Sequence, residues 1–318
     1  MVIKSNEQKQ LKSYNNSSNK LLKYIKKNKW LYILLIPGLM YFILFRYVPI
    51  LGLIIAFKDY DIFKGIFDSA WVGFDNFRVV FGSSDFKKVF SNTMVISLLK
   101  ILIGFPVPII LALMLNEMKN FKFKRMSQTV LYLPHFLSWV VIGGIMLNLF
   151  SPSYGVVGEI FRLFGMEPVN LLASKKHFRS ILIISDIWKE SGWGTIVYLA
   201  ALTQIDPNLY EAANIDGASK WKQTIHITLP AISGIIVMLL ILRIGRVMNA
   251  GFQQIMVLQT PLVQSISDIF DTYVYRNGLT RGQYSIAATV DMFKSVVALL
   301  LVVTTDKISK RIGEEGLL

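Results

Sequence analysis

The ionisable residues of this 318-residue sequence are too scattered to suggest a catalytic centre. It has no cysteine, which excludes thiolate catalysis, disulfides and cysteine-ligated metal centres. The 20 acidic residues form no cluster, and the three histidines form no metal-binding pair; these are His135, His177 and His226. No phosphate-binding loop of the form GxxxxGK followed by Ser or Thr occurs. We therefore expect no enzyme, catalytic residue, metal or bound cofactor, and an energy source only in a partner or an ion gradient.

The basic residues inside apolar stretches are the clearest candidates for functional side chains. There are six: Arg46, Lys100, Lys189, Arg243, Arg246 and Lys294. Charges at membrane depth are costly, so they usually face a cavity or a partner. Lys189 can pair with Asp186, and Lys294 with Asp291, because in each case the acid lies one helical turn earlier. Snorkelling of the lysines to the headgroups is the alternative.

Arg243 and Arg246 have no acid within four residues. Arg243 lies about 20 Å along a helix from Pro230, which places it beyond the bilayer midplane. We predict that both arginines line a path through the membrane or its outer gate; pairing with acids on neighbouring helices is an equal alternative.

The hydrophobic composition predicts an all-α membrane protein. Hydrophobic residues make up 53% of the chain and charged residues only 17%, whereas soluble proteins average about 25% charged. Six apolar stretches reach the length of about 20 residues that spans a bilayer; they are 31–57, 93–115, 130–150, 181–203, 232–248 and 285–304. The first follows a basic arm and is too long for a signal peptide, so we expect it to be retained.

The distribution of positive charge predicts the orientation. With a cytoplasmic N-terminus, the inside segments hold 17 Lys and Arg residues and the outside segments 11, as the positive-inside rule requires. Both termini are then cytoplasmic. The net charge of +14 marks the membrane's cytoplasmic side rather than a nucleic-acid partner. We divide the chain into a basic arm (1–30) that is either disordered or lies on anionic lipid, a six-helix domain (31–306) and a cytoplasmic tail (307–318).

The loop between the fourth and fifth spans contains residues that typically start and end the helices of a helical hairpin. Asp206 suits an N-cap and Pro207 the first helical turn. Gly217 can adopt the left-handed conformation that ends a helix, and Ser219 can cap a second short helix. We predict a helix–turn–helix along the cytoplasmic membrane face, within residues 206–230.

This hairpin resembles the EAA motif of ABC importer permeases. The pattern EAA-x3-G-x9-I-x-LP is met at seven positions: Glu211, Ala212, Ala213, Gly217, Ile227, Leu229 and Pro230. In that family the segment is the coupling helix, which docks on the ATPase subunit. The resemblance implies that these residues transmit nucleotide-driven closure of the ATPases to the spanning helices.

Other stretches resemble the maltose/glycerol-phosphate type sugar permeases. They include WVGFDNFRVVF at 71–81 and LYLPHFLSWVVIGGIM at 131–146. The stretches FKDYDIFKG at 57–65, IWKESGW at 187–193 and NAGFQQIMVLQ at 249–259 are similar to the oligosaccharide and polysaccharide-fragment importers of Gram-positive bacteria. The resemblance implies a type I importer permease fold in the bacterial cell membrane and a path for oligosaccharides. Four aromatic residues are candidates for sugar stacking, with interfacial anchoring as the alternative: Trp188, Trp193, Tyr198 and Phe252.

The resemblance also implies the partners. These are a second, similar permease forming a heterodimer, two cytosolic ATPases that use ATP and Mg²⁺, and a lipid-anchored extracellular sugar-binding protein. Three other functions stay open. They are an importer permease for a non-sugar solute, an ion-coupled secondary transporter, and a membrane enzyme. The sequence shows no obvious internal repeat of the kind secondary transporters carry, and no carboxylate cluster for an enzyme.

Overall fold

The computed structural model of the protein describes residues 23–24, 26–311 and 313. The chain divides into two compact units, residues 1–55 and 56–318, and helices of five residues or more are numbered in chain order. Most of the predicted basic arm, and most of the tail beyond Arg311, lie outside the described residues.

The described part of the smaller unit is helical. Helix α1 spans Lys29–Phe42, and a π-helical turn, Ile43–Tyr47, follows directly. A short helix, Val48–Leu51, and a 3₁₀ helix, Gly52–Phe57, continue the chain into the larger unit. Pro49 has no N–H to donate to the preceding turn. The regular series of helical hydrogen bonds is therefore interrupted in the region where the wide π turn occurs.

The larger unit begins with a two-residue antiparallel ladder, β1 (Lys58–Asp59) with β2 (Ala70–Trp71), in which Lys58 pairs with Trp71. Its numbered helices are α2 (Asp75–Gly82), α3 (Ser84–Gly104), α4 (Pro106–Glu117), α5 (Phe121–Tyr132), α6 (Trp139–Leu149), α7 (Val156–Leu163), α8 (Phe178–Leu202), α9 (Pro207–Ile215), α10 (Ser233–Gly245), α11 (Phe252–Leu258), α12 (Phe270–Val274) and α13 (Tyr284–Arg311). Shorter helical turns lie at Gly65–Asp68, Lys220–Gln223, Leu229–Ala231 and Gln264–Ser267, 3₁₀ helices at Leu133–Phe136 and Leu171–Ala173, and π turns at Thr224–Thr228 and Tyr275–Thr280.

Three helices in the described residues are long and apolar enough to cross a membrane: Lys29–Phe57, Ser84–Glu117 and Tyr284–Arg311. Two bent pairs, Phe121–Phe136 with Trp139–Leu149 and Lys220–Ala231 with Ser233–Gly245, raise the number to five if each pair is one span. Helix α8 has 25 residues but carries three charges near its middle. The protein is thus a helical membrane protein, and the count of six spans stays a prediction.

The predicted span at 130–150 is not one straight helix, because the chain bends by 100° between the 3₁₀ helix and α6. Leu137 is extended, with φ −80° and ψ 138°. The Ser138 hydroxyl then caps α6 by accepting a hydrogen bond from Val141 N at 3.3 Å. Pro134 cannot donate a backbone hydrogen bond, which favours a break in this region.

Buried apolar side chains form three clusters in the larger unit. One joins α3, α6, α8 and α11 through Ile96, Ile142, Leu182 and Ile255. The second joins α2, α3, α12 and α13 through Val80, Phe86, Phe270 and Val290. The third joins α4 and α8 to Ile232, before α10, through Ala112, Leu115, Tyr198 and Leu202.

Large apolar side chains are exposed along the same helices. Leu102 is 70% exposed, Val140 71% and Leu299 63%. In water such surfaces would destabilise a monomer, whereas hydrocarbon solvates them.

Candidate functional site

A cavity of about 560 Å³ opens between α3, α8 and α10. Trp139 of α6 and the Asn249–Gly251 turn complete its wall. Three cations and two carboxylates lie in the lining; they are Lys100, Arg243, Arg246, Asp186 and Glu190. The volume falls in the range of about 300–1,000 Å³ that small-molecule sites occupy.

Asp186 is the shared counter-charge of this cavity. Its Oδ1 lies 2.9 Å from Lys100 Nζ, and its Oδ2 lies 3.6 Å from Arg243 Nη2. Arg243 Nη2 also donates to the Lys100 carbonyl oxygen at 3.1 Å. One carboxylate therefore links α3, α8 and α10, and Arg243 pairs with a neighbouring helix, which was the alternative that the sequence left open.

The buried ammonium of Lys100 also binds α11. Its Nζ donates to Gln254 Oε1 at 2.6 Å, and Gln254 Nε2 donates in turn to the Leu182 carbonyl at 2.7 Å. Gly251 has φ +100°, and a Cβ at this position would lie 2.6 Å from Lys100 Nζ. The positive φ favours glycine at this position, and a side chain here would in addition displace the ammonium.

A second polar group lies beside the cavity. Glu190 Oε2 lies 3.1 Å from His135 Nδ1, and Glu190 Oε1 lies 3.5 Å from Lys189 Nζ. Lys189 Nζ donates to the His135 carbonyl at 2.7 Å. The His135 ring stacks on Trp193 with centroids 5.0 Å apart. The predicted pairing of Lys189 with Asp186 is therefore wrong, because Asp186 faces α3 and α10 while Lys189 faces the chain before α6.

A further cavity of about 660 Å³ adjoins the first, and the two share Trp139, Asn249 and Gly251 in their walls. Lys294 lies in its lining and contacts both Asp271 and, at 3.5 Å, Asp291. The predicted pair of Lys294 with Asp291 is confirmed, and Asp271 is an additional partner.

The structure brings together most of the residues predicted to line the path. Four of them line the first cavity: Arg243, Arg246, Trp193 and Tyr198. Phe252 lines the second. Trp188 lines neither cavity and is half exposed. It follows Asp186 by two residues, about 200° around the helix, so it points away from the cavity that Asp186 faces.

Sequence reasoning missed Trp139, Glu190, Gln254 and the Asp186 linkage. The periodicity of α8 carried a signal for part of this, since Asp186, Glu190 and Trp193 recur at spacings of four and three residues, as one helix face does. No sequence signal marked Gln254, whose partners lie 154 and 72 residues away.

The predicted helical hairpin is confirmed at each of its caps. Asp206 Oδ1 accepts from Asn208 N at 2.9 Å at the start of α9. At its end, Gly217 has φ +71°, Ala218 N donates to Ala213 O and Gly217 N donates to Asn214 O, which is a Schellman motif. The Ser219 hydroxyl accepts from Lys222 N at 3.4 Å.

The hairpin is braced on one side and open on the other. Gln223 is buried and donates to Asn214 Oδ1 at 2.7 Å, and the Tyr210 hydroxyl lies 2.9 Å from Thr228 Oγ1. The motif positions Glu211, Ala212, Gly217 and Pro230 are exposed, whereas Ala213, Ile227 and Leu229 are half-buried.

The chain leaves this hairpin through a bend. The π turn Thr224–Thr228 and the short helix Leu229–Ala231 precede a 62° bend at Ile232, before α10. Pro230 therefore lies in the short helix before the bend.

Comparisons with known proteins agree with this arrangement. Residues 104–313 match the family described as "Binding-protein-dependent transport system inner membrane component". The chain is 45% identical over 293 residues to Protein LplB of Bacillus subtilis (strain 168), covering 92% of each chain. It is also 45% identical over 297 residues to the polygalacturonan/rhamnogalacturonan transport system permease protein YteP of the same strain, covering 93% of this chain and 92% of that protein.

A solved structure shares the fold. It is a chain of a bacterial alginate ABC transporter in complex with an alginate pentasaccharide-bound periplasmic protein, with a TM-score of 0.87 and 41% identity. The match covers 93% of this chain and 99% of that chain. The chain therefore belongs to the binding-protein-dependent transport system inner membrane components, and it is a membrane-embedded permease subunit of an ABC importer.

Proposed function

We propose that this subunit imports oligosaccharides, with α9 coupling it to a cytosolic ATPase. The relatives named for polygalacturonan/rhamnogalacturonan transport and for alginate pentasaccharide support an oligosaccharide substrate. The charged cavity between α3, α8 and α10, with the half-exposed Trp193 in its wall, supplies hydrogen-bonding groups and a ring face suited to such a substrate.

The exposed hairpin is the observation that carries the coupling proposal. The buried Gln223 bonds and the Tyr210–Thr228 contact hold it in one conformation. The Glu211 and Ala212 side chains face outward, and Gly217 has no neighbouring atom within 4 Å of a Cβ built on it. A rigid element with small exposed residues suits close contact with another protein, and it can move as one body.

The proposal requires a larger assembly. A second, similar permease forms the other half of the path, two cytosolic ATPases bind and hydrolyse ATP with Mg²⁺, and a lipid-anchored extracellular protein delivers the sugar. Both termini are then cytoplasmic, α9 lies on the cytoplasmic face of a bacterial cell membrane, and this chain itself binds neither ATP nor Mg²⁺.

A pair of glycine variants tests the coupling role. Gly217 and Gly282 both have φ +71°, and for both a Cβ would meet nothing within 4 Å. Gly217→Asp and Gly282→Asp therefore impose similar backbone strain and add the same charge, but only the first lies in the hairpin. The importer is purified with its ATPase, second permease and binding protein, and co-purification and sugar-stimulated ATP hydrolysis are measured.

We expect Gly217→Asp to lose ATPase co-purification or sugar-stimulated hydrolysis, while Gly282→Asp keeps its ATPase bound. Equal co-purification and stimulation in Gly217→Asp and wild type would overturn the coupling role. A wild-type complex that no oligosaccharide stimulates would overturn the substrate class instead.

A further inference from the structure

The cavity between α3, α8 and α10 carries one positive charge more than its carboxylates balance. Its lining contains three cations and two acids. Lys100 and Arg243 share Asp186, at 2.9 and 3.6 Å. Glu190, the other acid, is engaged by Lys189 and His135.

Arg246 is the cation of this lining that has no carboxylate in contact with it. Its side chain is exposed to the cavity, and within the described part of the chain it makes no ion pair or hydrogen bond. Arg243, three residues earlier, instead forms an ion pair with Asp186 and donates to the Lys100 carbonyl. The two arginines that the sequence analysis grouped together therefore differ, because one has a carboxylate partner within the fold and the other does not.

The adjoining cavity has the opposite balance. Asp271 and Asp291 both contact Lys294, so one negative charge is left in its lining. The two linings together hold four cations and four acids, and Arg246 is the cation among them that no acid contacts, as far as the described residues go. An unpaired guanidinium in a partly enclosed cavity favours an anionic ligand, because a carboxylate can accept two parallel hydrogen bonds from it.

We infer that Arg246 binds the carboxylate of acidic sugar residues and selects uronate-containing oligosaccharides over neutral ones. The inference rests on the proposed function. Trp139 and Trp193 lie in the same wall and offer ring faces on which a sugar can stack. Arg246 would then be a specificity-determining residue, which sets the class of substrate rather than the rate of ATP hydrolysis.

The experiment compares two sugars with the same backbone, one with charged carboxylates and the other with neutral methyl esters. A galacturonate trisaccharide and its fully methyl-esterified form are offered, with saturating binding protein, to the complete importer in proteoliposomes. Uptake of each is measured for wild type, Arg246→Gln and Arg246→Lys, and for Arg125→Gln as a matched control. Arg125 is exposed on α5 and lines neither cavity. Dividing each variant's acid-to-ester ratio by the wild-type ratio removes the contribution of the binding protein.

We expect Arg246→Gln to lower the acid-to-ester ratio about tenfold, Arg246→Lys to retain part of it, and Arg125→Gln to leave it unchanged. A wild-type ratio in Arg246→Gln, an equal loss of both sugars, or no preference in wild type would each overturn the assignment. Failure of wild type to import either sugar would instead count against the proposed function. Gel filtration of each variant complex establishes that it is assembled.

Discussion

At the scale of single residues, Asp186 is the group on which the charge balance between three helices depends. Its side chain is only 14% exposed and lies between the cations of α3 and α10. Removing one partner of a buried ion pair leaves a charge without compensation, and this is more costly than the pair itself is favourable.

We predict that Asp186→Asn destabilises the protein by about 3 kcal/mol, because the buried Lys100 ammonium then keeps only Gln254. The apparent melting temperature of the detergent-purified protein measures this loss. The control is Asp75→Asn, which removes the exposed Asp75–Arg78 pair and should cost less than about 1 kcal/mol.

A double variant, Lys100→Met with Asp186→Leu, separates the charge effect from packing. It should recover much of the stability that Asp186→Asn loses, because it leaves no buried ammonium without its carboxylate. If the double variant is as unstable as Asp186→Asn, then the two side chains act through something other than their charges.

The sequence indicated the charges at membrane depth but, apart from Asp291 for Lys294, not their partners. Asp186 lies within one helical turn of Lys189, so local spacing favoured that pair. The observed partner, Lys100, is 86 residues away, and only the packing of α3 against α8 brings the two together. Ion pairs that form only through tertiary packing leave no local sequence signal. For this reason the sequence could not show that Arg243 has a partner and Arg246 has none in the described residues.

At the scale of elements, glycine sets how closely helices approach one another. A Cβ on Gly192 of α8 would lie 2.0 Å from the backbone oxygen of Leu131, in α5. Backbone cannot move aside as the end of a side chain can. Gly144 of α6 is also helical, but a Cβ there meets nothing within 4 Å.

We predict that Gly192→Ala sharply reduces the yield of folded protein, because α8 and α5 must separate to accept the methyl group. Gly144→Ala should be neutral or slightly stabilising, by up to about 1 kcal/mol, since alanine is the better helix former. Monodisperse yield and melting temperature after extraction compare the two. Similar behaviour of the two variants would contradict the close crossing.

The elements that the sequence could predict are those with local chemistry at their ends. Asp206, Gly217 and Ser219 have the residue types that cap helices, and the structure uses each as predicted. The 100° bend after Phe136 and the π turns could not be predicted in this way. A long apolar run does not show whether the helix crosses the membrane straight or bends within it, because hydropathy reports how apolar the residues are and not the path of the backbone.

At the scale of the whole molecule, the absence of cysteine from the full sequence allows the orientation to be tested one position at a time. Ile215, on the hairpin, is 87% exposed, and Phe63, in the β1–β2 connection, is 96% exposed. Replacing either with cysteine removes little packing.

We predict that a membrane-impermeant maleimide labels Phe63→Cys in intact cells and Ile215→Cys only after the cells are opened. The reason is the positive-inside distribution, which places the hairpin in the cytoplasm and the β1–β2 connection outside. The unsubstituted chain should show no labelling. Labelling in the reverse order would mean that both termini are extracellular.

The ion pair between Lys100 and Asp186 has a consequence for biosynthesis. Lys100 leaves the ribosome 86 residues before its counter-charge, a delay of roughly 4–17 s at typical rates of translation. During that interval α3 presents a lysine whose insertion into hydrocarbon costs about 3 kcal/mol, and no acid from α8 exists to offset it. We therefore expect α3 to be more stable in the lipid once α8 is present, so that the two helices settle there as a pair.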